Sequence, residues 1–94
     1  MVSEEKEKIL RAQALVDSAM LLLQRFGCMD GMEFESILSL FMEDALTVKG
    51  VRNIIKLLED KALTCAELPY GAVIATLKLL RGAERELGLP QAEA

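Results

Sequence analysis

Apolar side chains recur at helical spacing along this chain, most clearly over residues 34–45 and 51–62. The second of these sets consists of Val51, Ile54, Ile55, Leu58 and Ala62. Steps of three and four residues place side chains on one face of an α-helix, whereas a half-buried strand alternates with a period of two. The pattern therefore predicts amphipathic helices, each with an apolar face that must be covered.

Capping residues predict where the first three helices begin and end. The first helix is expected from about Ser3 to Phe26, and Gly27 is placed to end it in a left-handed conformation. Asp30 to Glu33 fits a capping box at the start of the second helix. Thr47 is the expected cap of the third helix.

The start of the fourth helix is harder to place. Thr64 to Glu67 resembles another capping box, but Pro69 would remove a backbone donor from the second turn of a helix that began there. We therefore expect a short turn over Thr64 to Leu68 and a helix from Pro69 or Tyr70 to Leu87.

Short connections between helices favour antiparallel neighbours. The predicted fold is all-α: a small antiparallel four-helix bundle, irregular at Pro69 and oligomeric. A chain of 94 residues is long enough for one domain, which we assign to residues 1–90, with residues 91–94 as a disordered tail.

Composition excludes many functional classes. The chain has no His, which removes Ser-His-Asp triads, Cys-His pairs and the Glu-x-x-His motifs of helical metal sites. Adjacent carboxylates such as Glu43 and Asp44 point about 100° apart on a helix. We therefore interpret them as solvent-exposed charges rather than as a catalytic pair. We therefore expect no enzyme, with no catalytic residues, no bound metal and no cofactor.

The apolar content and the net charge bear on location and partners. No secretion signal and no apolar run of about 20 residues is present, so a cytoplasmic protein without a membrane partner is expected. Hydrophobic residues make up 52% of the chain, more than so short a chain readily buries, which favours a partner surface. The net charge of −4 opposes nucleic acid as that partner.

Two cysteines, Cys28 and Cys65, lie beside predicted helix N-termini, where the helix dipole lowers a thiol pKa. In an up-down bundle their two connections lie at the same end, so a redox pair is one hypothesis. The predicted state is two reduced, structural cysteines, because a cytoplasmic location keeps thiols reduced.

Lys49, Arg52 and Lys56 lie on one side of the third predicted helix, which follows the second helix and a tight turn. This outline is similar to a helix-turn-helix DNA reader, whose second helix presents polar side chains to base edges. A small DNA-binding regulator is therefore the alternative function.

Several large apolar residues fall outside the main helical stripes and are expected to be exposed. They are Leu10, Leu21, Leu40, Met42, Leu57 and Leu79. We interpret them as a protein interface. The favoured function is a small acidic interaction module, such as an adaptor, a chaperone-like protein or a regulatory subunit. Its expected partners are a second copy of itself, in a homodimer, and an unidentified protein.

Overall fold

The computed structural model describes residues 4–42 and 46–88. The regular elements in these ranges are four α-helices: α1 Glu4–Arg25, α2 Gly31–Met42, α3 Val48–Thr64 and α4 Tyr70–Glu86. The prediction of an all-helical chain with four helices is confirmed. The predicted cap Ser3 and the predicted tail over 91–94 lie outside the described residues. Among the described helices, none combines the length and apolarity needed to cross a bilayer.

Two of the predicted caps form as expected. At the start of α2 the backbone N–H of Glu33 donates to Asp30 Oδ1 at 2.8 Å, and the N–H of Asp30 donates to Glu33 Oε1 at 3.4 Å. At the start of α3 the N–H of Gly50 donates to Thr47 Oγ1 at 3.1 Å. Each bond satisfies an amide that the helix itself leaves without an acceptor.

The predicted turn before α4 and the restart after Pro69 are confirmed, and the capping-box alternative at Thr64 does not form. Thr64 is still part of α3, and its hydroxyl donates to the carbonyl oxygen of Asp60 at 2.8 Å instead of accepting from a following amide. The chain then turns, and α4 begins at Tyr70 directly after Pro69. Gly27 and Gly88 have φ values of 81° and 71°, the left-handed conformation predicted for the residue that ends a helix.

Helix α1 is the common packing partner of the other three helices. Its most extensive contact is with α4, and α3 packs against both α1 and α4. Arg11 near the start of α1 pairs with Glu86 at the end of α4, with Nε and Oε1 3.0 Å apart. Helix α2 packs mainly on α1, and the Cα trace measures 42 × 33 × 16 Å. The oligomeric state and a regular antiparallel arrangement of all four helices stay predictions.

The core lies where α1, α3 and α4 meet. Its largest fully buried residues are Val16, Met20, Leu23, Val51, Ile55, Leu58, Thr76 and Leu80. All but one are apolar. The exception, Thr76, lies on the buried face of α4, and its Oγ1 has no hydrogen-bond partner within the described residues.

We expect Thr76→Val to raise the free energy of unfolding by about 1 kcal/mol, because valine keeps the branched shape and removes an unsatisfied buried hydroxyl. Urea denaturation followed by circular dichroism would measure the change. The matched control is Thr64→Val, which removes an exposed hydroxyl that already has an acceptor and should give no gain. A loss of stability in Thr76→Val would contradict the interpretation that the Thr76 hydroxyl is buried without a hydrogen-bond partner.

Candidate interaction surface

Five of the six residues predicted as an interface are exposed. The relative exposure is 57% for both Leu10 and Leu21 on α1, 41% for Leu40, 80% for Met42 and 49% for Leu57. These values place the side chains at the surface, whereas their role in an interface stays a prediction.

The assignment of Leu79 to an exposed edge is wrong. Leu79 is half-buried and packs against the core. It lies one helical turn before Gly82, and a Cβ atom at Gly82 would stand only 3.3 Å from Leu15 Cδ1 of α1. That side of α4 is therefore covered by α1. The local sequence gives no indication of how broad the α1–α4 contact is.

Four further large apolar side chains are exposed that the sequence did not single out. They are Met32, Leu63, Tyr70 and Ile74. Tyr70 and Ile74 belong to an apolar run that reads as core, yet they lie one turn apart on the outer side of α4. The sequence does contain an indication that they are exposed. Their spacing from Lys78, Arg81 and Arg85 places all five residues on one side of the helix, and the three cations favour solvent.

An open groove separates α2 from α3. It has a volume of about 390 Å³ and is lined by Asp30, Met32, Glu33, Ser36, Ile37 and Leu57. At one end Lys61 Nζ of α3 pairs with Glu33 Oε2 of α2 at 2.8 Å. The groove arises because α2 packs mainly on α1, so that the sides of α2 and α3 do not close on each other.

Charge is distributed unevenly over these surfaces. Residues 30–42 include three acidic side chains, Asp30, Glu33 and Glu35, and no Lys or Arg. On the opposite flank of α3, Lys49, Arg52, Asn53 and Lys56 line one shallow cleft, so the predicted basic cluster is brought together. The surface is therefore acidic along α2 and basic along the outer side of α3.

Glu59 lies between α3 and α4, among groups of both signs. Burial raises the pKa of its carboxyl, and the nearby Glu84 raises it further. Arg81 and Lys56 oppose this shift by stabilising the charged form. Lys56 of α3 and Arg81 of α4 therefore both stabilise the charged form of the Glu59 carboxylate.

The two cysteines are joined by a disulfide bond. Cys28 follows α1 and Cys65 follows α3, and their Cα atoms are 5.8 Å apart. The predicted state of two reduced thiols is therefore wrong for this structure, and a redox role for the pair stays a hypothesis. The helix-dipole argument also fails for Cys65, which caps the C-terminus of α3 rather than the N-terminus of α4.

We expect the protein purified without reductant to contain no free thiol, and Cys28→Ser to lower the free energy of unfolding by roughly 2–4 kcal/mol. The bond joins residues 37 positions apart, and cross-linking such a loop restricts the unfolded chain. Thiol titration in denaturant and chemical unfolding would measure both quantities. Cys65→Ser is the matched variant and should lose as much stability, since either substitution removes the same bond.

Asp17 lies on α1 between Leu10 and Leu21, and its Oδ1 is buried without a hydrogen-bond partner within the described residues. Burial raises the pKa of this carboxyl above 3.8, and a hydrogen bond with the Gln13 side chain partly offsets the rise. The folded state therefore holds the proton more tightly than the unfolded state. The protonated form stabilises the fold below pH 3.8, and this contribution is lost as the pH rises through the folded pKa.

We accordingly expect Asp17→Asn to raise the free energy of unfolding at pH 7, because the neutral amide avoids the cost of burying a charged carboxylate. The gain should disappear below pH 3.8. Unfolding curves at pH 7 and pH 3.5 would measure it. Asp60→Asn, at an exposed position on α3, is the control and should show no comparable gain. An equal gain at both pH values would contradict the assignment.

Comparison with protein-family models finds no matching family, and comparisons with curated proteins and with solved structures find no significant match.

Proposed function

We propose that this chain is a protein–protein interaction module that forms a homodimer and presents a second helical surface to another protein. The observation that supports the proposal is the exposure of nine large apolar side chains, distributed over all four helices, in the described part of a short chain. Such side chains favour a partner surface because water is a poor environment for them.

The energy gained from apolar burial sets how many residues an interface must cover. Burying one large apolar side chain contributes roughly 1.5–3 kcal/mol, whereas association costs about 4–15 kcal/mol in lost freedom of motion. Several residues must therefore be covered together. The groove between α2 and α3 supplies two of them, Met32 and Leu57, beside Ile37, which is already buried in the single chain. The other covered residues must come from the surface that docks there or from a second contact.

Helix α1 carries a separate apolar edge. Leu10 and Leu21 are about three turns apart and so lie on the same side of the helix, opposite its buried face. This edge is our proposed site for the second protein. Adaptors, chaperone-like proteins and regulatory subunits all bind other proteins through such a surface. The identity of the bound partner distinguishes these three roles.

The homodimer is tested by absolute mass from light scattering after size exclusion, at two protein concentrations that differ tenfold. We expect twice the mass of the chain at the higher concentration, because apolar association depends on concentration. The mass of a single chain at both concentrations would contradict the proposal.

A DNA-binding regulator is the second candidate. The observation that favours it is the cleft formed by Lys49, Arg52, Asn53 and Lys56, which gathers three cations and an amide on the outer side of α3. Retention on duplex DNA that falls steeply with salt, and is lost in Arg52→Gln/Lys56→Gln, would support this function. No retention at low salt would remove it.

A cytoplasmic location is part of the proposal, and the disulfide weighs against it. Disulfide bonds persist in oxidising compartments and are rare where glutathione and thioredoxin keep thiols reduced. Trapping thiols at the moment of cell lysis tests this point. Reduced Cys28 and Cys65 in the cell would support the cytoplasm, and an intact bond would place the protein in an oxidising compartment.

A further inference from the structure

We infer that the groove between α2 and α3 of one copy receives the outer face of α4 of a second copy. The outer face of α4 consists of Tyr70, Ile74, Lys78, Arg81 and Arg85. The inference rests on the homodimer proposed above and identifies the surfaces that form it.

The groove offers an apolar floor with an acidic border. Met32 of α2 is 82% exposed, Leu57 of α3 is 49% exposed, and the buried Ile37 lines the same groove. Asp30 and Glu33 border the same space. Lys61 offsets part of this charge through its pair with Glu33, but residues 30–42 contribute no cation.

The outer face of α4 has the complementary chemistry. Tyr70 is 80% exposed and Ile74 is 37% exposed, and together they form an apolar end one turn long. Lys78, Arg81 and Arg85 continue the same side of the helix toward its C-terminus. In the described part of the chain none of these three cations has an ion pair within 4.0 Å.

A copy cannot fill its own groove with this face. Helix α4 packs on α1 and α3, makes no extended contact with α2 among the described residues, and directs Tyr70 and Ile74 to solvent. The occupant must therefore come from another molecule. A second copy supplies apolar residues and cations in one rigid helix, opposite a groove that carries apolar residues and carboxylates.

The residue types support a protein interface at both surfaces. Tyr, Met and Arg are enriched in interfaces relative to the rest of protein surfaces. Here the exposed Met32 stands at the groove, and the exposed Tyr70, Arg81 and Arg85 stand on α4. The contact joins two different surfaces, so a two-fold dimer contains it twice. In each contact the α4 face of one copy lies in the groove of the other.

This reciprocity permits a complementation experiment. A groove variant, Met32→Lys/Leu57→Lys, places cations opposite the cations of α4. An α4 variant, Tyr70→Glu/Ile74→Glu, places carboxylates opposite the acidic groove. Each variant alone should be monomeric at a concentration where the wild type is a dimer, with the dissociation constant raised by about 10- to 100-fold.

The equimolar mixture should regain the dimer. One of its two contacts is then unaltered, and the other joins the new lysines to the new glutamates. Native mass spectrometry distinguishes the mixed dimer from either parent by mass, and circular dichroism confirms that each variant is folded. If a variant does not fold, Leu57→Lys replaces the groove variant, and Lys78→Glu/Arg85→Glu replaces the α4 variant.

The control is Leu10→Lys/Leu21→Lys on α1, which should remain dimeric. A variant that stays dimeric alone, or a mixture that stays monomeric, would overturn the inference. If only the α1 control loses the dimer, the inference is overturned while the proposed homodimer stands. A wild type that is monomeric overturns both.

Discussion

The packing of α1 against the other three helices is the contact on which this structure depends. Val16, Met20 and Leu23 are fully buried on α1 and supply much of the core volume. Close approach to α4 is possible because Gly82 has no side chain, since a Cβ atom there would press on Leu15. Any change that separates α1 from α4 would break the most extensive helix–helix contact among the described residues.

The position of α2 follows from that arrangement. Helices α3 and α4 occupy the broad buried side of α1, so α2 packs at its flank. The end of α3 is then tied to the segment that starts α2 by the Cys28–Cys65 bond and by the Lys61–Glu33 pair. The remaining length of α2 and α3 stays apart, and this separation is the physical origin of the groove. The covalent and ionic ties fix the start of α2 against the end of α3.

Charge is distributed unevenly over the surface of the molecule. Residues 30–42 carry three acidic side chains and no cation, whereas Lys49, Arg52 and Lys56 cluster on the outer side of α3. Lys61 of α3 is an exception, since it pairs with Glu33 of α2. The net charge of the chain, −4, therefore does not describe the local charge of either the α2 surface or the outer side of α3. The average charge argued against nucleic acid, but the local fields decide which surface attracts which partner. Complementary surfaces on one chain also favour its association with a second copy.

The local features of the fold could be predicted from the amino-acid sequence. Helical spacing, the Asp30–Glu33 box, the Thr47 cap and the restart at Tyr70 each depend on residues within one or two turns of one another, so a single segment contains the needed information. The sequence also indicated that Leu10, Leu21 and Leu57 would be exposed, because each lies off its own apolar stripe. The remaining features depend on how the helices pack together. Three of these features depend on distances between helices: the burial of Leu79, the Cys28–Cys65 bond, and the groove between α2 and α3. Those distances are set by how the side chains of several helices share one core, which no single segment encodes.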